Sequence, residues 1–341
     1  LKESSVGYGQ KANVKKSFFI ENHAANIFIV DVFGTILFSE LKNLKNNDQN
    51  FKRIENNLNN IKVRDFIFHN NDIYVSAIKL ENKCNKIKIF KSKIDYVKLD
   101  FEEIFSSRDC DKNYNIQAGR ITIIEKEQEK FILLSTNTDE TYFSDDKKYI
   151  SLAQNSKSIF GKTLLIDLKT YDYKIFSLGH RNILGLYFDD KTKTILATEN
   201  GPQGGDEINR IEINKNYGWN ISSYGESYSN LRVDKPNYKK NHEKFNFQEP
   251  IVSFIPAIAP TEIIRIEDSF SVMWKDNFMM GSLVGKSLYR LKFNNKFNKI
   301  FFIERIYLGE RIRDLIFSPE LNAILVAMED SGSIGILKSI N

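Results

Sequence analysis

Cysteine, histidine and proline are scarce in this chain of 341 residues, which contains two cysteines, four histidines and six prolines. The two cysteines, Cys84 and Cys110, exclude any ambiguity of disulfide connectivity. They either form one bond, closing a loop of about 27 residues worth about 3–4 kcal/mol in the chain-entropy model, or remain two unrelated buried thiols. A disulfide bond would indicate an oxidising compartment.

Long apolar runs are also absent. No segment approaches the roughly 18 apolar residues that a membrane-spanning helix needs, so we expect no transmembrane segment. The chain begins at Leu1 without an apolar region near its start, so no signal peptide is visible; a processed mature chain would look like this, and so would a chain trimmed at its start. The net charge of +5 comes from scattered lysines, which indicates a solvated lysine-rich surface and no nucleic-acid partner.

Short runs of β-branched and aromatic residues alternate with polar turns, and helical periodicity is scarce. One unit recurs: an apolar strand, a polar turn, and a second strand that ends in a small residue. It occurs at residues 63–77, 120–135, 182–198 and 313–327, with further copies near 17–41 and 259–293. A repeat of about 60 residues is typical of propeller blades. The pattern predicts an all-β, six-bladed β-propeller in a single domain over residues 1–341; an irregular pair of β-sandwiches is the alternative.

Two stretches interrupt the repeat. Residues 43–60 are rich in Asn and indicate a loop between strands, whereas residues 224–248 combine tyrosines and lysines without periodicity. We interpret 224–248 as a long surface excursion of the kind that often carries function on a rigid scaffold.

The segment from residue 178 to residue 219 has the most unusual composition. Gly201-Pro202 and Gly204-Gly205 form a backbone with few side chains, which is suited to presenting carbonyl oxygens. Hard cations such as calcium prefer carbonyl and carboxylate oxygens, and Arg181 is a fixed donor for anionic groups. These residues indicate either an anionic ligand, with or without calcium, at a propeller mouth, or a tight turn with a structural arginine.

Residues 178–188 (LGHRNILGLYF) and 197–219 (ATENGPQGGDEINRIEINKNYGW) closely resemble the soluble PQQ-dependent sugar dehydrogenases, the family of glucose, aldose and sorbosone dehydrogenases. The family pattern is GHRNPQGL followed by E-x-GP-x-x-x-DEIN and NYGWP. Residues 158–168, 254–261, 274–293 and 311–319 are also similar to family segments. The resemblance is good from about residue 115 onward. It implies a quinoprotein oxidoreductase with PQQ and calcium as cofactors, a small-molecule sugar or an anionic ligand, and a periplasmic or secreted location.

The resemblance also implies roles for individual residues. Arg181 matches the arginine that stabilises negative charge on the quinone, and Asn182 follows it as in the family. The carbonyls of Gly201 and Pro202 match the calcium-binding pair. Arg311 and Arg313 match two cofactor-binding arginines, and we expect them to line one anion-binding pocket with Arg181, without acidic partners. Because the family is exported, we expect the disulfide bond between the two cysteines.

Three positions depart from the family pattern. Ile116 occupies the position of the general-base histidine, and isoleucine cannot accept a proton. Val284 replaces a cofactor-binding lysine. Lys286, two residues on, would lie on the same face if this segment were a strand, and could substitute. Ile255 replaces a tryptophan. The expected result is a degenerate active site that oxidises the C1 of aldoses poorly.

Three functions are therefore considered. The first is a divergent quinoprotein sugar dehydrogenase. The second is a non-catalytic propeller that binds a ligand or a protein partner, since a fold does not determine a function. The third, a glycoside hydrolase, needs two suitably separated carboxylates, and Asp206 and Glu207 are expected on opposite faces of a strand.

Overall fold

The computed structural model describes residues 17–45, 50–110, 117–126, 129–138, 142–143, 149–150, 152–227 and 238–339. Strands predominate among these residues. The helices are short: α1 (Leu41–Lys45) and three 3-10 turns at Leu152–Gln154, Glu243–Phe245 and Val272–Trp274. This agrees with the predicted all-β class and the absence of a helical domain.

Six sheets follow one another along the chain, and each is a meander in which consecutive strands pair. Blade 1 contains β1 (Phe18–His23), β2 (Asn26–Asp31), β3 (Ile36–Glu40) and β4 (Lys52–Asn56). Blade 2 contains β5 (Ile61–His69), β6 (Asp72–Glu81), β7 (Cys84–Lys93) and β9 (Glu102–Ser106). Between β7 and β9, the short β8 (Lys98–Leu99) pairs in parallel with β4 of blade 1. Blade 3 contains β10 (Ile121–Lys126) and β11 (Glu129–Ser135), then a separate hairpin of β12 (Tyr142–Phe143) and β13 (Tyr149–Ile150), then β14 (Lys162–Asp167) and β15 (Tyr173–Leu178).

Blades 4 to 6 follow the same plan. Blade 4 contains β16 (Ile183–Asp189), β17 (Thr194–Glu199), β18 (Asp206–Arg210) and β19 (Val252–Phe254). Blade 5 contains β20 (Pro260–Arg265), β21 (Phe278–Ser282), β22 (Ser287–Phe293) and β23 (Ile300–Tyr307). Blade 6 contains β24 (Ile312–Ser318), β25 (Ala323–Met328) and β26 (Ser333–Leu337).

The first strand of each blade lines a central channel, and these six strands close into a ring. Each packs against the first strand of the next blade, and β24 of blade 6 packs against β1 of blade 1. Such a closed ring is a β-propeller, which confirms the six-bladed fold and excludes the pair of sandwiches. The four sequence repeats are the inner strand pairs β5–β6, β10–β11, β16–β17 and β24–β25.

One face of the propeller collects the candidate residues. Strand direction alternates within a blade, so the links from second to third strand and from blade to blade lie on the same face, here called the mouth face. The links 179–182, 200–205, 283–286 and 308–311 all belong to it. They carry Arg181, Asn182, Gly201, Pro202, Val284, Lys286 and Arg311.

β-Bulges turn further side chains toward the channel axis near this face. The pairing register between inner strands shifts at Arg64 in β5, Leu184 in β16 and Arg313 in β24, so each of these residues is the extra residue of a bulge. A bulge re-aims a side chain, and all three residues line a cavity of about 60 Å³ at the channel mouth.

Arg120 closes the channel below that cavity. It is buried, and its guanidinium donates to Asp65, to the Leu184 carbonyl and to the Arg313 carbonyl. Beyond Arg120 the channel widens into a cavity of about 520 Å³ that opens on the opposite face. Arg120 therefore separates the mouth from the rest of the channel.

Cys84 and Cys110 form a disulfide bond with their Cα atoms 5.5 Å apart, which confirms that prediction. The bond ties the segment after β9 to the start of β7. The described part of the chain contains no helix long and apolar enough to cross a membrane.

Candidate functional site

Arg181 is held rigidly beside blade 4. Its Nη1 donates to the Asn200 carbonyl at 2.8 Å, its guanidinium carbon lies 5.4 Å from the centre of the Trp219 ring, and its backbone N–H donates to the Glu199 carboxylate. Cation–π stacking on an indole fixes a guanidinium and adds about 0.5–1 kcal/mol at an exposed site. Arg181 is thus oriented before any ligand arrives.

Several polar atoms around Arg181 are buried without a hydrogen-bond partner among the described residues. They are Nε of Arg181 and Oδ1 of Asn182 and Asn200. Asn182 also donates weakly to Gln117 Oε1 at 3.4 Å, which links the mouths of blades 3 and 4. Buried polar groups in native proteins are usually satisfied, so these atoms fit a site that receives a polar ligand or water.

The turn at Gly201 is built from backbone packing. A Cβ on Gly201 would collide with the carbonyl oxygens of Gly204 and Gly205, and one on Gly205 would collide with the backbone of Gly225. Asp206 holds the turn by accepting from the Gly201 N–H at 2.8 Å. The result is a cradle of backbone oxygens that a side chain would fill.

Asp206 and Glu207 have different surroundings, as expected for alternate faces of a strand. Asp206 also accepts from the Ile258 and Ala259 N–H groups at 2.7 Å. Glu207 is buried against Asn209, and burial together with the nearby charge of Glu199 raises its pKa well above its usual range. Neither carboxylate is free for glycoside hydrolysis, which argues against that function.

His180 is structural. It is fully buried, its two ring nitrogens lie 2.7 Å from Ser177 Oγ and 3.0 Å from Glu199 Oε2, and its ring stacks on Tyr217. Both ring nitrogens are engaged, so His180 is not free to act as a general base.

The excursion at residues 224–248 is only partly a surface feature. Residues 228–237 lie outside the described residues. On the described part, Tyr238 and His242 are buried, and His242 Nδ1 lies 3.1 Å from the Tyr217 carbonyl. Ser222 donates to the Lys239 carbonyl at 2.8 Å, which ties the excursion to the site. Tyr238 and His242 are thus buried, whereas most of the other described residues of the excursion, such as Lys239 and Lys240, are exposed.

Arg311 and Arg313 share an acidic partner, contrary to expectation. Arg313 Nε donates to Glu329 Oε2 at 2.5 Å, and Arg311 Nε lies 3.5 Å from Oε1 of the same carboxylate. Arg313 lines the 60 Å³ cavity at the channel mouth, whereas Arg181 lines a separate cavity of about 10 Å³. Arg181 and Arg313 therefore lie on one face but line different cavities.

Lys286 does not lie on a strand. β21 ends at Ser282, and Lys286 has a φ of +47° in the turn that follows. Its ammonium lies 2.8 Å from Asp330 Oδ2, and this hydrogen bond raises the pKa of Lys286. Residues 284 and 286 therefore do not share a strand face, so the expectation that Lys286 substitutes for the family's lysine on that basis is wrong. The charge of Lys286 is already paired with Asp330. Val284 itself is 62% exposed.

Ile116 lies outside the described residues. The next residue, Gln117, is described: it accepts from Asn182 and lines the channel mouth. Ile255 is 69% exposed on the mouth face. Exposed apolar residues thus occupy two positions, 255 and 284, at which the resemblance implies a tryptophan and a lysine.

Three residues of this face escaped the sequence analysis: Arg64, Glu329 and Asp330. Charged residues are common at the ends of strands, so the sequence around these three does not distinguish them from ordinary surface residues. Only the bulge at Arg64 and the closure of the ring bring them to the mouth.

The residues present fit an anionic ligand better than a protein-coordinated metal. No group of three or more His, Cys, Asp or Glu residues able to hold a metal occurs in the described ranges. A calcium ion here would depend on backbone oxygens such as those of Gly201 and Pro202, which is acceptable chemistry for calcium. The orphaned Arg181 Nε and the arginines at the channel mouth fit carboxylates.

Residues 11–337 match the family model described as glucose/sorbosone dehydrogenase. Among curated proteins, an uncharacterised protein of Synechocystis is 31% identical over 166 residues, which is 49% of this chain and 39% of that protein. The aldose sugar dehydrogenase of Escherichia coli is 26% identical over 163 residues, 47% of this chain and 43% of that protein. The quinoprotein glucose dehydrogenase B of Acinetobacter calcoaceticus is 24% identical over 209 residues. The chain thus matches less than half the length of these curated relatives.

Solved structures share the fold at low identity. A glucose dehydrogenase structure superposes with a TM-score of 0.79 and 17% identity, covering 96% of this chain and 97% of that one. The apo aldose sugar dehydrogenase of E. coli gives 0.75 and 18%, with 94% of each chain covered. The PQQ-bound aldose sugar dehydrogenase of Streptomyces coelicolor gives 0.69 and 16%, covering 98% of this chain and 95% of that one.

Proposed function

Because the chain belongs to the glucose/sorbosone dehydrogenase family, we propose that it is a divergent quinoprotein sugar dehydrogenase that binds an anionic cofactor at the mouth face and oxidises aldoses only weakly. The observation that carries this proposal is the rigid Arg181 with its orphaned Nε, next to the side-chain-free turn at Gly201. PQQ, when bound, supplies a two-electron acceptor for the hydride of a sugar C1.

Residues on two sides of the mouth face would hold the anionic cofactor. Arg181, stacked on Trp219, places a positive charge where negative charge develops, which is the usual basis of oxyanion stabilisation. Arg311 and Arg313 offer donors on the blade 6 side, balanced by Glu329. The carbonyls of Gly201 and Pro202, within the oxygen-rich turn, would hold calcium.

Proton removal is the weak step. With Ile116 at the general-base position, the sugar hydroxyl lacks an acceptor there, and a positioned base is worth about 10²–10⁴-fold in rate. Val284 removes a positive charge, and one lost charge-assisted bond costs about 1.5–3 kcal/mol. Lys286 is paired with Asp330 and does not restore that charge. The loss of the base slows proton removal and the loss of the lysine weakens cofactor binding, so their effects on activity multiply.

A periplasmic or secreted location follows from the same proposal. The Cys84–Cys110 bond is stable in an oxidising compartment and is rare in a reducing one.

The second candidate is a propeller that binds a ligand or a protein partner without turnover. One observation favours it: Ile255, Val284 and Tyr307 are all more than 60% exposed near the mouth. Exposed apolar side chains at one rim suit an apolar partner better than a sugar.

The test is dye reduction with PQQ, calcium and a panel of aldoses, using the wild type and the double variant Ile116→His/Val284→Lys. We expect weak or no turnover by the wild type and a gain of at least tenfold in the double variant. Ile116→Gln with Val284→Lys is the matched control, because glutamine is polar but not a base. Robust wild-type turnover would contradict the impairment. Failure of both proteins to bind PQQ would favour the non-catalytic candidate.

A further inference from the structure

The Arg181 guanidinium depends for its orientation on Trp219, a residue of the long link between β18 and β19. The Trp219 indole is buried, has its ring centre 5.4 Å from the guanidinium carbon, and packs against the Tyr238 ring at 5.2 Å. Among the described residues, the guanidinium makes one hydrogen bond, from Nη1 to the Asn200 carbonyl. The direction in which Arg181 points is therefore set largely by where the link places Trp219.

The Gln154 side chain fixes the part of this link that leads to Trp219. Its Nε2 donates to the Trp219 carbonyl at 2.5 Å and to Asn216 Oδ1 at 3.1 Å, and its Oε1 accepts from Asn216 Nδ2 at 2.7 Å. Asn216 Oδ1 also accepts from the Gly218 N–H at 3.0 Å. A primary amide has two donor hydrogens and one acceptor oxygen, so every polar atom of the Gln154 side chain is used on this link.

Gln154 is itself held firmly by blade 3. It ends the 3-10 turn Leu152–Gln154, which lies in the link between β11 and β14. Ala153 of this turn packs against Trp219. The buried ammonium of Lys162, on β14, donates at 2.8 to 2.9 Å to three backbone carbonyls of the segment, those of Leu152, Ala153 and Phe160. The turn is thus a fixed element of blade 3 that holds the Trp219 link of blade 4.

We propose that Gln154 is a positioning residue for Arg181, acting through the Trp219 carbonyl and the Trp219 indole. This inference rests on the proposed function, because Arg181 would face the anionic cofactor. A side chain that is oriented before the ligand arrives loses less conformational freedom on binding. An Arg181 without its stack would sample more rotamers, so the anion would bind more weakly although no residue that contacts it had changed.

A purely structural role of Gln154 predicts a different result. Its loss would lower stability, and any effect on ligand binding would be independent of the ring at position 219. A positioning role requires that both substitutions act by the same route, so that their effects do not add. The next residue provides the contrast, because Asn155 is exposed and its Oδ1 accepts from the Lys157 N–H at 2.9 Å, away from the Trp219 link.

The experiment is a double-mutant cycle of Gln154→Ala and Trp219→Leu, in which PQQ binding with calcium is measured by calorimetry. We expect each single variant to weaken binding about tenfold, and the double variant to bind no more weakly than Trp219→Leu. Gln154→Glu keeps the side-chain volume but removes both donor hydrogens, so it should match Gln154→Ala. Asn155→Ala is the matched control and should bind like the wild type. Losses that multiply in the double variant overturn the inference, as does unchanged binding by Gln154→Ala.

A second measurement needs no cofactor. The rate at which phenylglyoxal modifies Arg181 is followed by mass spectrometry in the same variants. We expect Gln154→Ala and Trp219→Leu to raise this rate several-fold, because the guanidinium loses its stack, and Asn155→Ala to leave it unchanged. An unchanged rate in Gln154→Ala overturns the inference. If the wild type binds no PQQ, the proposed function fails and this rate alone decides on the positioning role. If all variants bind PQQ equally well, the positioning role fails and the proposed function stands.

Discussion

The Arg120 guanidinium lies 3.0 Å from Asp65 Oδ1, and the other oxygen of that carboxylate accepts from the backbone N–H of Ile121 at 2.8 Å. Asp65 belongs to blade 2, whereas Arg120 and Ile121 belong to blade 3. Asp314 of blade 6 makes the same two kinds of contact: it lies 3.2 Å from Arg120, and it accepts from the Ile20 N–H of blade 1. These carboxylates join neighbouring blades across the channel.

Arg120→Met should destabilise the protein by about 3–5 kcal/mol, because it leaves buried carboxylates without their counter-charge. Urea unfolding at neutral pH measures the loss. Lys193→Met is the control: it breaks a pair with Asp190 whose side chains are 64% and 82% exposed, so we expect a change of at most about 1 kcal/mol. A cost below about 1 kcal/mol for Arg120→Met would show that the carboxylates do not need this partner.

Stability should depend on Glu262 between pH 5 and 8. Burial raises the pKa of Glu262 to about 8, so the folded protein keeps a proton that the unfolded chain loses above about pH 4.5. The stabilisation is complete at low pH and is lost as the pH rises through 8. Relative to wild type, Glu262→Gln should therefore gain about 1–3 kcal/mol from pH 5 to pH 8.

Urea titrations at several pH values test this dependence. Glu55→Gln, on the exposed side of β4, is the control and should stay parallel to the wild type. A constant difference between Glu262→Gln and the wild type across this range would contradict the prediction.

Gly205→Ala should cost more than Gly204→Ala. Both glycines have positive φ values, 68° and 81°, so each alanine is strained by about 1 kcal/mol. A Cβ on Gly205 also collides with the Gly225 backbone, whereas a Cβ on Gly204 meets only Ile255, at 3.8 Å. We expect Gly205→Ala to lower the melting temperature further and to weaken calcium-dependent PQQ binding. Equal effects of the two variants would argue against the tight packing of this turn.

Loss of the disulfide bond should lower stability by about 3–4 kcal/mol, since the bond closes a loop across a sequence separation of 26 residues. Cys84→Ser/Cys110→Ser is compared with the wild type in urea, with and without reductant. Reductant should shift the wild type toward the variant and leave the variant unchanged. Two free thiols in the unfolded, unreduced wild type would refute the bond.

The sequence by itself determined the blades and the family. Residues 63–77, 120–135, 182–198 and 313–327 each became an inner strand pair, because alternation of apolar residues and turn residues is a local signal. The tight turn at Gly201 was also readable, since glycine is the residue that such backbone packing requires.

Only the tertiary structure decided how the charges of the mouth are arranged. The pairing of Lys286 with Asp330, the sharing of Glu329 by two arginines, and the approach of Arg64 to Arg313 all join separate blades or loops. Side-chain direction there depends on bulges, which shift the strand register by one residue, and on ring closure, which joins blade 6 to blade 1. Bulges and ring closure cannot be recognised from a short stretch of sequence. A bulge depends on how two strands pair, and ring closure depends on contacts between the first and last blades.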